Sequence, residues 1–295
     1  MIHQAETALE ELARADPTIA PLALLLGEAR KASVERAWHQ DLPAFDASRL
    51  DERAPLLHGQ ALVADAKRVQ RLMVRLAALT GQADLGEAIG QGAIQPLAAL
   101  EAAIEQDAGT LRGLATEAGV RVELLTTLSQ VAAFPILQAC GREAAPVLES
   151  ASGASWDAGY CPVCAAWPTL AELRGLERLR WLRCGRCGGS WTYAESRCPF
   201  CGTHDHRALG YLAPEADRES RRATTCDECR GYLKSITSLG PLAADEVGVK
   251  DLTTLELDVA AVERGYARRE EPGFALDVTL EPRSSARRSW MPWKR

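Results

Sequence analysis

The chain has 295 residues, 47% of them apolar and 25% charged, and a formal charge of -6, which describes an ordinary globular protein with room for two or three domains. No run approaches the roughly 18 consecutive apolar residues of a membrane-spanning helix. The opening MIHQAETALEELARADP is amphipathic and acidic, unlike a signal or transit peptide, so the sequence predicts a cytoplasmic protein without membrane insertion.

Residues 1–150 read as helices. The spacing of Leu62, Ala66, Val69, Met73, Leu76 and Leu79 predicts one amphipathic helix over Gly59 to Leu79. Asp16 and Pro17 supply an N-cap and a first-turn proline for another, interrupted near Pro21. Further helices are predicted over Ile94 to Gln106, Leu111 to Ala118 and Val120 to Ala139, the last kinked or broken at Pro135. No strand pattern of comparable strength appears, and an all-helical domain is expected.

This half offers no catalytic constellation. His3, His39 and His58 are isolated, without a partner at metal-ligand spacing, and read as surface or packing residues. The run GEAIGQG at 86–92 lacks the Gly-Lys-Ser/Thr ending of a phosphate loop and reads as a helix junction. Cys140 follows an apolar helix and reads as a buried, inert thiol. The small polar segment SASGASWDAG, 150–159, is expected to link the helices to a cysteine-rich region, with Trp156 anchoring it to one side.

Eight of the nine cysteines fall within the 69 residues from Cys161 to Cys229, as four Cys-x-x-Cys pairs. Two residues between thiolates let a tight turn aim both sulfurs at one ion, and two such turns complete a tetrahedral site. A reducing cytoplasm disfavours disulfides, and four pairs in two repeats do not fit the single redox motif of a thioredoxin. An internal repeat groups the pairs: YCPVCAAWP at 160 aligns with RCPFCGTHD at 197, and each is followed, after 19 and 24 residues, by a second pair. The expected first site is Cys161, Cys164, Cys184 and Cys187, and the second is Cys198, Cys201, Cys226 and Cys229. Pro162 and Pro199 occupy positions that need no amide hydrogen, while Gly188 and Gly202 sit where a left-handed backbone is useful; Ala165 stands there in the first turn. The fill around Trp181 and Trp191 is strand-compatible, and units this small are expected to draw much of their folding energy from the metal. His204 and His206 read as loop residues. Iron and zinc both accept four sulfurs, and these residues leave the choice open.

Charge bears on partners. Residues 1–150 carry thirteen Lys and Arg against twenty Asp and Glu, and residues 151–240 carry twelve against ten. Tetrathiolate sites would add one or two negative charges each, leaving the cysteine region neutral or acidic, a poor footprint for nucleic acid. After Gly240-Pro241 the pattern changes to a short helix through Leu252, Leu255, Val259 and Val262, with Asp251 as its cap and Gly265 as its end. The tail from Arg283 to Arg295 has five basic residues, two tryptophans and no acids; it reads as a solvated arm, or with Trp290 and Trp293 as anchors for another chain.

Cys161-Pro-Val-Cys164, Trp181-Leu-Arg-Cys184, Arg197-Cys198, Cys229-Arg-Gly-Tyr-Leu-Lys234, Asp251-Leu-Thr-Thr-Leu-Glu-Leu-Asp258 and Gly265-Tyr-Ala-Arg268 together resemble the FdhE family of formate dehydrogenase accessory proteins. The resemblance is specific over residues 160–268. It implies a non-catalytic assembly factor that binds the catalytic subunit of respiratory formate dehydrogenase in the cytoplasm, with rubredoxin-like iron at the two four-cysteine sites and zinc as the alternative. The expected architecture is α+β and multidomain: a helical domain (1–150), two tandem rubredoxin-like or zinc-ribbon-like modules (156–195 and 196–240), and a C-terminal helix and tail (241–295). A rubredoxin-type electron carrier or redox sensor, and less favourably a nucleic-acid-binding ribbon, are the competing readings.

Overall fold

The computed structural model describes residues 2–150, 156–215, 217 and 219–283. The helical part comprises α1 (Ile2–Ala15), α2 (Ala20–Ser33), the single turn α3 (Ser48–Asp51), strand β1 (Gln60–Ala64), α4 (Ala66–Leu79), α5 (Ala83–Gly90), α6 (Pro96–Glu105), α7 (Ala108–Ala118) and α8 (Val122–Ser150). The helix expected over Gly59 to Leu79 therefore begins later. Asp65 caps α4 by accepting a hydrogen bond from the Arg68 amide at 3.0 Å, and the residues before it are extended. The two periodicities overlap here: Leu62 and Ala64 are buried at period two, while Val69, Leu72, Met73 and Leu76 are buried at helical spacing.

α8 is the central helix. It runs unbroken through Pro135 and Pro146, although a proline inside a helix removes one backbone bond and costs about 3 kcal/mol. The residues from Phe134 to Gly141 are all buried, so packing on every side holds the helix through the missing bond. Among the described residues α8 alone is long and apolar enough to cross a membrane, and 67% of its most apolar stretch is buried inside the protein, as in a core helix.

The cysteine region adds β2 (Leu170–Arg174), β3 (Leu179–Arg183), β4 (Ser190–Thr192), β5 (Leu209–Leu212), β6 (Arg221–Cys226) and β7 (Tyr232–Ser238). They form one six-stranded sheet in the order β4-β3-β2-β7-β6-β5. Each repeat contributes three antiparallel strands, and the first strand of one joins the last strand of the other in parallel, Leu170 beside Lys234 through Arg174 beside Ser238. The two ribbons thus share a continuous sheet.

The expected C-terminal helix is two short ones, α9 (Val247–Leu252) and α10 (Leu255–Val262). Asp251 is not a cap; it lies in α9 and its carboxylate serves an ion-pair network. Gly265, at φ +76°, does end the helical stretch. The chain then returns to the helices as β8 (Val278–Pro282), which pairs in parallel with β1. Glu105 and Glu101 of α6 accept hydrogen bonds from the Val278 and Leu280 amides at 2.9 and 2.5 Å, so the outer edge of β8 is satisfied by side chains instead of a third strand. The 151–155 part of the linker and residues 284–295, with Trp290 and Trp293, lie outside the described residues.

Candidate metal centres

Four turns carry the eight cysteines, and they share one backbone geometry. The amide of the residue after each second cysteine in the first three turns reaches back to the first cysteine's carbonyl: Ala165 to Cys161, Gly188 to Cys184 and Gly202 to Cys198, each at 3.0 Å. That residue is left-handed in all four turns, at φ +62° for Ala165, +76° for Gly188, +77° for Gly202 and +55° for Arg230. Ala165 and Arg230 hold a conformation that costs a side-chain-bearing residue roughly 1–2 kcal/mol. The sulfurs accept from the same turns, with the amides of Val163 and Gly189 3.4 Å from the sulfurs of Cys161 and Cys187.

The sulfurs gather in two groups, Cys161, Cys164, Cys184 and Cys187, and Cys198, Cys201, Cys226 and Cys229, each within 4.8 Å of one another. Across the first group Cys161 lies 3.5 Å from Cys187 and Cys164 lies 3.5 Å from Cys184; in the second, Cys198 to Cys229 is 3.8 Å and Cys201 to Cys226 is 3.7 Å. A tetrahedral ion with sulfur bonds of about 2.3 Å spaces its ligands by about 3.8 Å. Both clusters could therefore hold a metal ion as a tetrathiolate. Burial pushes the thiols of Cys161 and Cys198 up, which makes a cation the natural means of keeping them ionised. His204 and His206 are exposed and belong to neither group.

The two clusters differ in setting. All four cysteines of the first are at most 1% exposed and belong to the same apolar core as Leu56, Ile136, Leu137 and Cys140. The amides of Leu56 and Leu57 donate to the carbonyls of Pro162 and Val163 at 2.8 and 3.0 Å, Gln138 of α8 donates to the Arg186 carbonyl at 3.2 Å, and Arg186 reaches the carbonyls of Ala103 and Ile104 at the end of α6. A Cβ on Gly141 would stand 1.9 Å from the Cys187 carbonyl oxygen, so α8 touches this turn backbone to backbone. The first ribbon has no separate core and shares that of the helices, which adds to the folding energy expected from a metal. The second cluster lies outward: Cys201 is exposed, and Glu228, held by Thr203 at 2.8 Å, comes within 4.0 Å of its sulfur.

A buried ion network escaped sequence reading. Lys234 is 1% exposed, and its ammonium contacts carboxylate oxygens of Asp251 and Asp258, each at 2.6 Å. Arg268 pairs with the same two acids at 2.6 and 2.7 Å, and the Tyr232 hydroxyl donates to Asp258 at 2.6 Å. Burial alone would raise the Asp258 carboxyl, but Arg268 and the bonds from Lys234 and Tyr232 outweigh it and hold the group below its usual range. The network ties β7 to α9 and α10. Its trace in the sequence was the pair Asp251 and Asp258, which the break between α9 and α10 brings to one side of Lys234. Elsewhere Cys140 is buried with its thiol pushed up to about 12 by desolvation; the His39 Nε2 lies 3.0 Å from the Ser33 carbonyl and the Asp277 amide donates to His58 Nδ1 at 3.2 Å.

Fold and clusters together define a helical protein bearing two tetracysteine ribbons that could hold metal ions. Residues 196–289 match the family model described as FdhE, C-terminal domain. The chain is 35% identical over 124 residues to the FdhE homolog of Stutzerimonas stutzeri, a stretch covering 41% of this chain and 39% of that protein. It is 37% identical over 117 residues to the Pseudomonas aeruginosa homolog, covering 37% of each. These matches span about two fifths of the curated relatives' length. The crystal structure of the FdhE protein from Pseudomonas aeruginosa superposes over 93% of this chain and 95% of its own, with a TM-score of 0.52 and 26% identity. The chain thus resembles FdhE proteins, in sequence over its cysteine-rich and C-terminal part and in fold over nearly its whole length.

Proposed function

We propose that this chain is a non-catalytic accessory factor in the maturation of formate dehydrogenase, binding its catalytic subunit in the cytoplasm. The observation that carries the reading is the full-length likeness to an FdhE structure combined with both four-cysteine clusters. The eight clustered cysteines are the proposed ligands, with iron as the favoured ion and zinc as the alternative; ferric iron would supply a one-electron couple in a sulfur cage, zinc a purely structural crosslink. Cells lacking the protein should make inactive formate dehydrogenase, and the tagged protein should co-purify with the catalytic subunit. Full enzyme activity in the deletion strain would end the proposal.

The exposed sulfur of Cys201 favours one second reading, an electron carrier or redox sensor acting through the outer cluster. It requires iron there with a reversible potential; stoichiometric zinc in protein that supports maturation in cells would exclude it.

A further inference from the structure

Four cationic side chains are buried among the described residues: Arg30, Arg180, Arg183 and Lys234. Three have carboxylate partners. Arg30 pairs with Asp245 at 2.6 Å, Arg183 with Glu172 at 2.5 Å, and Lys234 with Asp251 and Asp258. Arg180, at 7% exposure, has no such partner among the described residues; its Nη1 donates to the carbonyls of Ala194 and Arg197 at 3.3 and 3.1 Å, and its Nε has no acceptor. The Tyr193 ring, Cys198 and Glu195 lie close enough to favour its charge, but none makes an ion pair with it, and a buried charge so weakly compensated favours an anion in its surroundings.

Those surroundings are a cavity of about 200 Å³ between the sheet and the turn of Cys198. Strand register puts Arg180, Leu173, Ser235 and Arg222 on one face: Arg180 pairs with Leu173, Ser235 lies beside Ala171 and opposite Arg222, and Ala171 and Leu173 are two residues apart. The Ser235 hydroxyl is buried and also lacks a partner. Arg222 is neutralised by Glu195 at 2.6 Å, and the nearest carboxylate to Arg197 is Asp157 at 4.0 Å. Leu173, Leu209 and Leu233 supply apolar wall. Cys198 and Cys226 border the cavity as well, and a tetrathiolate there would carry one or two negative charges, which disfavours a multiply charged guest.

We propose that this cavity is a binding site for a small monocarboxylate with a short apolar stem, its carboxylate meeting Arg180 and the Ser235 hydroxyl. One guanidinium without a carboxylate contact, an unpartnered hydroxyl and leucine walls fit a singly charged, partly apolar guest better than a phosphate. The site adjoins the outer cluster, whose Cys198 and Cys226 border it, and does not depend on the accessory role.

The test is isothermal titration calorimetry on the metal-loaded full chain, with acetate and propionate as probes, inorganic phosphate as the competing anion, and chloride at matched ionic strength as the blank. Saturable binding of the carboxylates is expected, weakened by about tenfold or more in Arg180→Met and by several-fold in Ser235→Ala, the losses expected of a charge-assisted and a neutral hydrogen bond. Ser235→Ala removes an unpartnered hydroxyl and should fold even if Arg180→Met does not. Absence of saturable carboxylate binding, preference for phosphate, or affinity unchanged in Ser235→Ala would overturn the proposal; with no anion bound, Arg180 would be the counter-charge of the outer cluster.

Discussion

Replacing Gly141 by alanine should separate the helices from the first cluster. The added Cβ would meet the Cys187 carbonyl oxygen at 1.9 Å and its carbon at 2.9 Å, both backbone atoms that cannot rotate away. Restoring ordinary contact near 3.4 Å demands a shift of about 1.5 Å between α8 and the turn, a distortion in the overpacking class that costs about 1–3 kcal/mol. The same shift would stretch the Gln138 to Arg186 bond from 3.2 Å beyond useful range, adding about 1 kcal/mol. At about 2–4 °C per kcal/mol for a chain of this size, the melting temperature should fall by about 5–15 °C. Thermal unfolding followed by circular dichroism reads the effect, with Gly113→Ala as the control: Gly113 lies in α7 with nothing within 4 Å of its added Cβ and should gain up to about 1 kcal/mol. If both variants melt like the parent, the backbone contact between α8 and the inner cluster is wrong.

The same geometry makes three further outcomes testable. A chelator should remove the ion bound by Cys198, Cys201, Cys226 and Cys229 well before the other, because Cys201 is exposed and the inner four sulfurs are not; a competition assay with a colorimetric chelator should show two phases, and one phase would contradict the asymmetry. Gly202→Ala should cost about 1–2 kcal/mol in denaturant titrations and hasten loss of the outer ion alone, since the residue sits at φ +77° and its added Cβ would meet only the Arg197 guanidinium, at an ordinary 3.5 Å. Asp258 has its carboxyl held below the usual range, so its stabilisation is fully present above about pH 4 and disappears as pH falls through the depressed folded value. Asp258→Asn should therefore flatten the acid limb of the stability profile while costing about 3–5 kcal/mol near neutrality by leaving Lys234 short of a partner; an unchanged acid limb would remove Asp258 from the network's pH response.

The two sets of cysteines were legible because their signal is local: the Cys-x-x-Cys turn and the repeat of Cys-Pro-x-Cys need no knowledge of distant contacts. Helix positions in the first half were legible for the same reason, since Val69 to Leu76 repeat at helical period. The features that were missed all join residues far apart. β1 pairs with a strand more than two hundred positions later, and its five residues merge with the first turn of α4's apolar pattern. The parallel contact of β2 with β7 has no counterpart in the repeat, because it arises where one ribbon meets the other. Nothing local in the sequence shows that the fold buries Lys234 and Arg180, one among carboxylates and one without a carboxylate contact. The helix does not break at Pro135, because tertiary packing around α8 outweighs the local preference.

Eight cysteines holding two ions, four sulfurs to each, is the claim on which the proposed function most depends. X-ray absorption at the metal edge, with elemental analysis of anaerobically purified full-length protein, tests it most directly. Two ions per chain are predicted, each with four sulfur neighbours at about 2.3 Å, and a red protein if the metal is ferric iron. A single ion per chain, or nitrogen and oxygen in the first coordination shell, would contradict it.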